Sequence, residues 1–327
     1  MGPLRMLITA GRFFARFVVT MCATTFCVFA GIEVSIDGGF RTVVFPPGLP
    51  ENSPRGRELI DTWNLDGNIF VRWFGWFTDV IQGELGQSSR LGGTDVWDLI
   101  VPRLSISLQL MLGATALAVA AGIPLGLWAA ALGTRGRGRF LTALLGVSQS
   151  VPVFISSLFF VWLFAVELRW LPAAGWVRIS ESIPRNLESA LLPVTTLALA
   201  EVGIIGRIVQ RDASELIRSD FVASALGKGL SMPYVMTRHV LRPASLGLLN
   251  VLGVSIGSLL SGALIVELIF GIGGLGQVVF ESLINRDLYL VLGLTIYIVG
   301  VYVTLNTAVD IATLLADPRI RRRGRTG

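Results

Sequence analysis

ISLQLMLGATALAVAAGIPLGLWAAAL, residues 106–132, runs for 27 positions without one ionisable side chain. As a helix it would rise about 40 Å, more than the roughly 30 Å hydrocarbon core of a bilayer. Working outward, comparable apolar runs recur near 10–32, 140–166, 189–209, 245–270 and 288–315. Segments of this length cannot be barrel strands, which need only about ten alternating residues, and in lipid every backbone polar group must be satisfied within the segment. The sequence therefore predicts an all-α polytopic membrane protein with six transmembrane helices. Composition agrees, with 53% of the 327 residues apolar and 15% charged, against about 25% charged in soluble domains.

Basic residues in short loops set the orientation. Arg5, Arg12 and Arg16 precede the first run, Arg135, Arg137 and Arg139 follow the second, and Arg207, Arg211, Arg218, Lys228, Arg238 and Arg242 lie between the fourth and fifth. If the spans alternate, all three groups face one side, and the tail with Arg319, Arg321, Arg322, Arg323 and Arg325 joins them. Both termini are expected in the cytoplasm of a bacterial inner-membrane protein, and the net charge of +5 reads as a topology determinant rather than a nucleic-acid surface. The first run is too long for a signal peptide and shows no clear cleavage site, so it is expected to stay as an anchor. Cys22 and Cys27 fall inside it on different helix faces and form neither a disulfide framework nor a metal site. The expected organisation is a transmembrane helix over 1–34, an extracytoplasmic loop over 35–105, a five-helix core over 106–316 that includes a cytoplasmic segment at 212–243, and a basic tail over 317–327.

Two polar stretches carry pattern. Within 35–105, Phe70, Trp73, Phe74, Phe77 and Ile81 recur at helical spacing with Arg72 and Asp79 off the stripe, which predicts an amphipathic helix lying either in the headgroup region or on the outer end of the bundle. Between the fourth and fifth runs, Ser219 is placed to cap a helix starting at Asp220, and Gly227 and Gly229 to end it. A second helix is expected after Ser231, with Pro233 in its first turn and a stop at Pro243. An ordered cytoplasmic helix–turn–helix on a membrane protein implies a docking partner.

The stretch DFVASALGKGLSMPYVMTRHVLRPA (220–244) resembles the cytoplasmic coupling segment, the EAA loop, of ABC importer permeases, in the form of the dipeptide and oligopeptide branch. Ala223, Ser224 and Ala225 stand at the pattern's first positions with Ala223 replacing its Glu, the glycine falls on Gly229, and Pro243 comes one residue late. VELIFGIGGLGQ, carrying Glu267, Phe270, Gly271, Gly274, Leu275 and Gly276, resembles the extracytoplasmic turn after the fifth span of B-type peptide permeases. ADPRIR near the C-terminus, RLSISLQL, SVPVF and LLPVTTLALA fit the same family. The resemblance is close over about 100–323 and implies the type I importer permease fold. It also implies that Asp220, Phe221, Val222, Ala223, Ser224, Ala225, Leu226, Gly227, Lys228, Gly229, Leu230, Arg238 and His239 couple to an ATPase, with Phe221, Val222, Leu226 and Leu230 able to anchor in its groove.

Other motifs carry less. GVSIG (253–257) matches a hydrolase nucleophile elbow, but Ser255 lies mid-span in a helix rather than at a strand-to-helix turn, and His239, the chain's single histidine, lies in the cytoplasmic segment. ALGKGLS lacks the first glycine of a phosphate loop and has Gly229 where Ser or Thr should follow Lys228. Glu201, halfway along the fourth span, either lines a wet path or pairs with an arginine such as Arg207. Gln149, Ser150, Thr195, Glu201, Ser255 and Ser258 are the candidates for a translocation path. For any single Ser or Thr in the spans, including Ser148, Ser156, Ser157, Thr196 and Ser261, interhelical hydrogen bonding is the expected role.

The resemblance thus implies a transport subunit without its own catalytic or metal site and with no cofactor bound by this chain, ATP and Mg being held by partner ATPase subunits. The implied partners are a homologous second permease, two ATP-binding cassette subunits, an extracytoplasmic solute-binding protein and membrane lipid, with no nucleic acid. Alternating access would carry di- or oligopeptides, or a related solute such as a nickel chelate. A self-powered secondary transporter is the rival, disfavoured by the absence of a visible inverted repeat and by the docking segment.

Overall fold

The computed structural model describes residues 3–35, 45, 48–88, 94–285 and 287–316; the closing ADPRIR motif, beyond its Ala316, and the basic tail lie outside them. Among the described residues there is one isolated antiparallel bridge, Gln87 with Asp95, and otherwise only helix and connecting chain. By internal contacts the chain forms two compact units, residues 1–104 with 278–303 and residues 105–277 with 304–327.

In the first unit, α1 (Pro3–Ser35) buries Met21, Thr25 and Phe29, spaced four apart on one helical face. After α2 (Pro54–Trp63), which starts on a Ser53 side-chain cap and Pro54, comes α3 (Ile69–Ile81), capped by Asn68. The α3 stripe is divided between two environments. Trp73 stacks on Phe77 and donates from Nε1 to Thr25 Oγ1 at 3.2 Å, Phe70 stacks on Phe26 at 4.9 Å, and Trp76, which the spacing did not single out, is buried beside Phe29. Phe74 and Ile81 stay exposed, and Arg72 bonds Glu33 at 2.9 Å. Part of the stripe therefore packs against α1, while Phe74 and Ile81 face outward.

The second unit contains most of the apolar core. Here α4 (Val96–Leu132) and α7 (Ile183–Ile217) meet where a Cβ on Gly126 would run into the Gly206 carbonyl, so the absent side chain lets the two backbones close together. Between them in sequence lie α5 (Arg137–Ser150) and α6 (Val153–Phe160), the latter continuing as a π-helical turn over Val161–Glu167. The third span, expected as one crossing, is bent by 100° at this junction. Pro152 explains the break, since it removes an N–H from the ladder and pushes Val151 to extended ψ.

After α8 (Asp220–Gly227) and the short α9 (Met232–Val235), the chain passes through a π turn (Met236–Val240) directly into α10 (Leu241–Phe270). The helix predicted to stop at Pro243 does not stop. The wider π turn just upstream shifts the carbonyls that the proline ring would strike, so helical structure runs through. Then follow α11 (Leu275–Ile284) and α12 (Leu288–Ala316). Val96–Leu132, Ile183–Ile217, Val251–Phe270 and Tyr289–Val309 are long and apolar enough to cross a membrane, and the bent pair makes a fifth candidate. Phe17–Gly31 within α1 is apolar but shorter among the described residues.

Candidate functional site

The segment 219–240 folds as a helical hairpin. Ser219 occupies the N-cap position as expected, but its hydroxyl donates to Leu216 O at 2.5 Å instead of accepting from the new helix, whose acidic first-turn residue is Asp220. Gly229 turns the chain at φ +84°, a left-handed conformation where a Cβ would be strained, with open space around it. One face of the hairpin is sewn into the core by Val222, Ala225, Val235, Met236 and Val240. Val222, expected among the anchors for a partner, is fully buried in its own chain, because consecutive residues lie about 100° apart around α8 and Val222, not Phe221, faces the core. The outward face carries Phe221, Leu226, Leu230 and Tyr234, each more than a third exposed. Tyr234, which the sequence placed in the segment but not among its anchors, shares that exposed face.

At the opposite end of α10 the glycine-rich turn is built around a buried carboxyl group. Glu267 is fully buried; its Oε1 accepts from Ser107 Oγ at 2.5 Å and its Oε2 from the Gly276 N–H at 2.5 Å. Ser107 also accepts from the Leu275 N–H at 3.0 Å. Gly271 caps α10, Phe270 is buried beneath the turn, and a Cβ at Gly274 would lie 2.5 Å from Glu267 Cδ. Two motifs read separately, RLSISLQL and VELIFGIGGLGQ, are thus one construction in which Ser107 of α4 and Glu267 of α10 fix the start of α11.

Glu201 lies near the middle of α7, 4% exposed, and accepts from Ser258 Oγ at 2.7 Å. It does not pair with Arg207, which is exposed; six residues along a helix carry the two side chains to different faces. With Ser255 it lines a cavity of about 350 Å³ bounded by α4, α7, α10 and α12. Of the candidate path residues, the fold gathers Glu201, Ser255 and Ser258. Gln149, Ser150 and Thr195 are not in that wall, and Ser150 and Thr195 donate to Gly146 O and Leu191 O of their own helices. The interhelical role expected for span hydroxyls holds for Ser107 and Ser258, which reach Glu267 and Glu201 on other helices, whereas Ser148, Ser156, Ser157, Thr196 and Ser261 donate three or four residues back along their own helices. A helix carbonyl is always within reach of such a hydroxyl, so no partner helix is required.

Residues 122–322 match the family described as binding-protein-dependent transport system inner membrane component. The chain belongs to that family. It is 31% identical over 310 residues to a probable peptide ABC transporter permease protein of Sinorhizobium fredii, covering 93% of this chain and 99% of the relative. It is 32% identical over 300 residues to the oligopeptide transport system permease protein OppB of Haemophilus influenzae, covering 88% and 94%. Against OppB of Escherichia coli the figures are 30% over 262 residues, covering 79% and 83%. Among solved structures, a chain of the MetNI methionine ABC transporter in an inward-facing conformation superposes with a TM-score of 0.53 at 17% identity, covering 67% of this chain and 96% of that one. This shared fold is the type I importer permease fold expected from the sequence. The family is one of transport components, and with several apolar helices this member is a multi-pass inner-membrane protein.

Proposed function

We propose that this chain is the membrane-spanning permease subunit of an ATP-binding cassette importer that carries di- or oligopeptides. The observation that carries the reading is identity of about a third, over most of both chains, to permeases named for peptide and oligopeptide transport. The chain would work by alternating access beside a homologous second permease, with an extracytoplasmic binding protein delivering cargo and two ATPase subunits holding ATP and Mg. It would bind no cofactor and hydrolyse no nucleotide itself. Six spans, counting α1 and the bent pair, would place both termini in the cytoplasm, the 35–105 segment and the Glu267 turn outside, and the 219–240 hairpin inside. The hairpin's exposed Phe221, Leu226, Leu230 and Tyr234 suit insertion into a groove on the ATPase.

The test is uptake of radiolabelled peptide by cells that depend on this transporter, together with co-purification of the ATPase subunits. Gly229→Asp imposes a strain of roughly 1–2 kcal/mol at the left-handed turn and adds a charge there. The variant should insert in the membrane at the wild-type level, lose ATPase co-purification and lose uptake. Normal co-purification with normal uptake would remove the docking assignment. ATP-independent uptake by the wild type would remove the importer assignment.

A further inference from the structure

Glu201 presents an imbalance that its own chain does not resolve. Its Oε1 is satisfied by Ser258, but its buried Oε2 has no hydrogen-bond partner. Among the described residues, the cavity it lines holds no basic side chain: apart from Glu201, Thr115 and Ser255, the walls are apolar residues such as Leu108, Met111 and Ile256. Thr115 donates its hydroxyl to Met111 O at 2.8 Å, so its proton is committed elsewhere. An uncompensated buried carboxylate is costly, and in a membrane-spanning segment such groups mark sites of function. A volume of about 350 Å³ falls within the range of small-molecule sites.

We propose that this cavity is a binding subsite for a primary ammonium group carried on a small aliphatic body. Glu201 Oε2 would take the ammonium by a charge-assisted hydrogen bond, and the aliphatic walls would take the attached side chain. Geometry favours an ammonium over a guanidinium. A guanidinium gives its full worth only when its fork pairs with both carboxylate oxygens, and Ser258 already shares Oε1, whereas an ammonium is satisfied by the single unpaired Oε2. Resting on the peptide-import reading, the natural bearer of this chemistry is the amino end of a peptide with an aliphatic first residue. A lysine side chain offers the same group from a second source.

The experiment uses the purified transporter, permease with its partner subunits, in nanodiscs and without the binding protein. Equilibrium binding is measured for leucyl-leucine amide, N-acetyl-leucyl-leucine amide, N-acetyl-lysine amide and hexylamine. Wild type should prefer leucyl-leucine amide over its acetylated form by about tenfold or more, the worth of one hydrogen bond to a charged group. Glu201→Gln, which still accepts from Ser258, should bring that ratio near one while binding of the acetylated form persists. Ile256→Trp, which fills the cavity, should weaken both. N-acetyl-lysine amide binding as tightly as leucyl-leucine amide would show that the site reads the ammonium from either source. A wild-type ratio near one, or a ratio unchanged in Glu201→Gln, overturns the proposal. If peptides are taken up normally and the ratio ignores Glu201, the subsite falls and the importer stands. If hexylamine binds in a Glu201-dependent way but no peptide is transported, the subsite stands and the peptide reading falls.

Discussion

Replacing Ser107 by alanine removes one hydroxyl that serves two partners at once. In the folded chain that hydroxyl donates to Glu267 Oε1 at 2.5 Å and accepts from the Leu275 N–H at 3.0 Å, with Ser107 6% exposed and Glu267 fully buried. Alanine opens little new space, so the cost comes from the two orphaned groups. A buried backbone donor left unsatisfied costs about 1–3 kcal/mol, and a bond to a charged or strongly polar acceptor is worth about 1.5–3 kcal/mol. Their lower ends sum to roughly 2.5 kcal/mol, a drop in thermal midpoint of about 4 °C for an unfolding entropy of about 2.1 cal/mol/K per residue over 327 residues. The assay is fluorescence-detected size exclusion of the detergent-solubilised permease after graded heating. Ser150→Ala is the control, because that exposed hydroxyl only donates to Gly146 O of its own helix and should cost little. If Ser107→Ala melts no lower than Ser150→Ala, Glu267 does not hold the turn through Ser107.

Phe221→Ala should leave the thermal midpoint unchanged while weakening ATPase co-purification, whereas Val222→Ala, which empties a fully buried site, should lower stability by about 1–2 kcal/mol before any effect on docking; heating and pull-down of both variants separate the two. An impermeant thiol reagent added outside intact cells, in a background lacking Cys22 and Cys27, should label Glu58→Cys and spare Gly136→Cys and Arg322→Cys. Labelling of either of the last two would refute the orientation read from the arginines.

What the sequence conveyed best were features that local chemistry alone determines. The 106–132 run needed only length and the absence of charge to be recognised as a helix within Val96–Leu132, and Gly229 needed only its place between two capped segments to be recognised as the turn. Features that depend on a second segment were hidden. Pro243 reads as a stop until the π turn before it is known, and that turn has no sequence signature of its own. The fully buried Val222 and the exposed Phe221 are adjacent apolar residues whose different roles depend on which side of α8 the core lies. Ser107 and Glu267, 160 positions apart, had no visible link, because a carboxyl–hydroxyl pair across two helices leaves no periodicity in either. Glu201 was conspicuous for its charge, yet its serine partner rather than an arginine emerged only when α7 and α10 were seen side by side.

The passage of the chain from the hairpin through the π turn into α10 has a mechanical consequence. Leu241–Phe270 contains 30 residues, about 45 Å of helix, with the hairpin attached at one end and Glu267 near the other. Leu252, Ser255, Ile256 and Leu259, which border the cavity, occupy its middle. Such a helix rocking about its midpoint acts as a seesaw: a tilt of about 10° carries each tip roughly 4 Å while residues beside the fulcrum hardly move. A push delivered at the hairpin would then arrive at the far end with its direction reversed, while Ser258 and Glu201, close to the pivot, stay within bonding distance of each other.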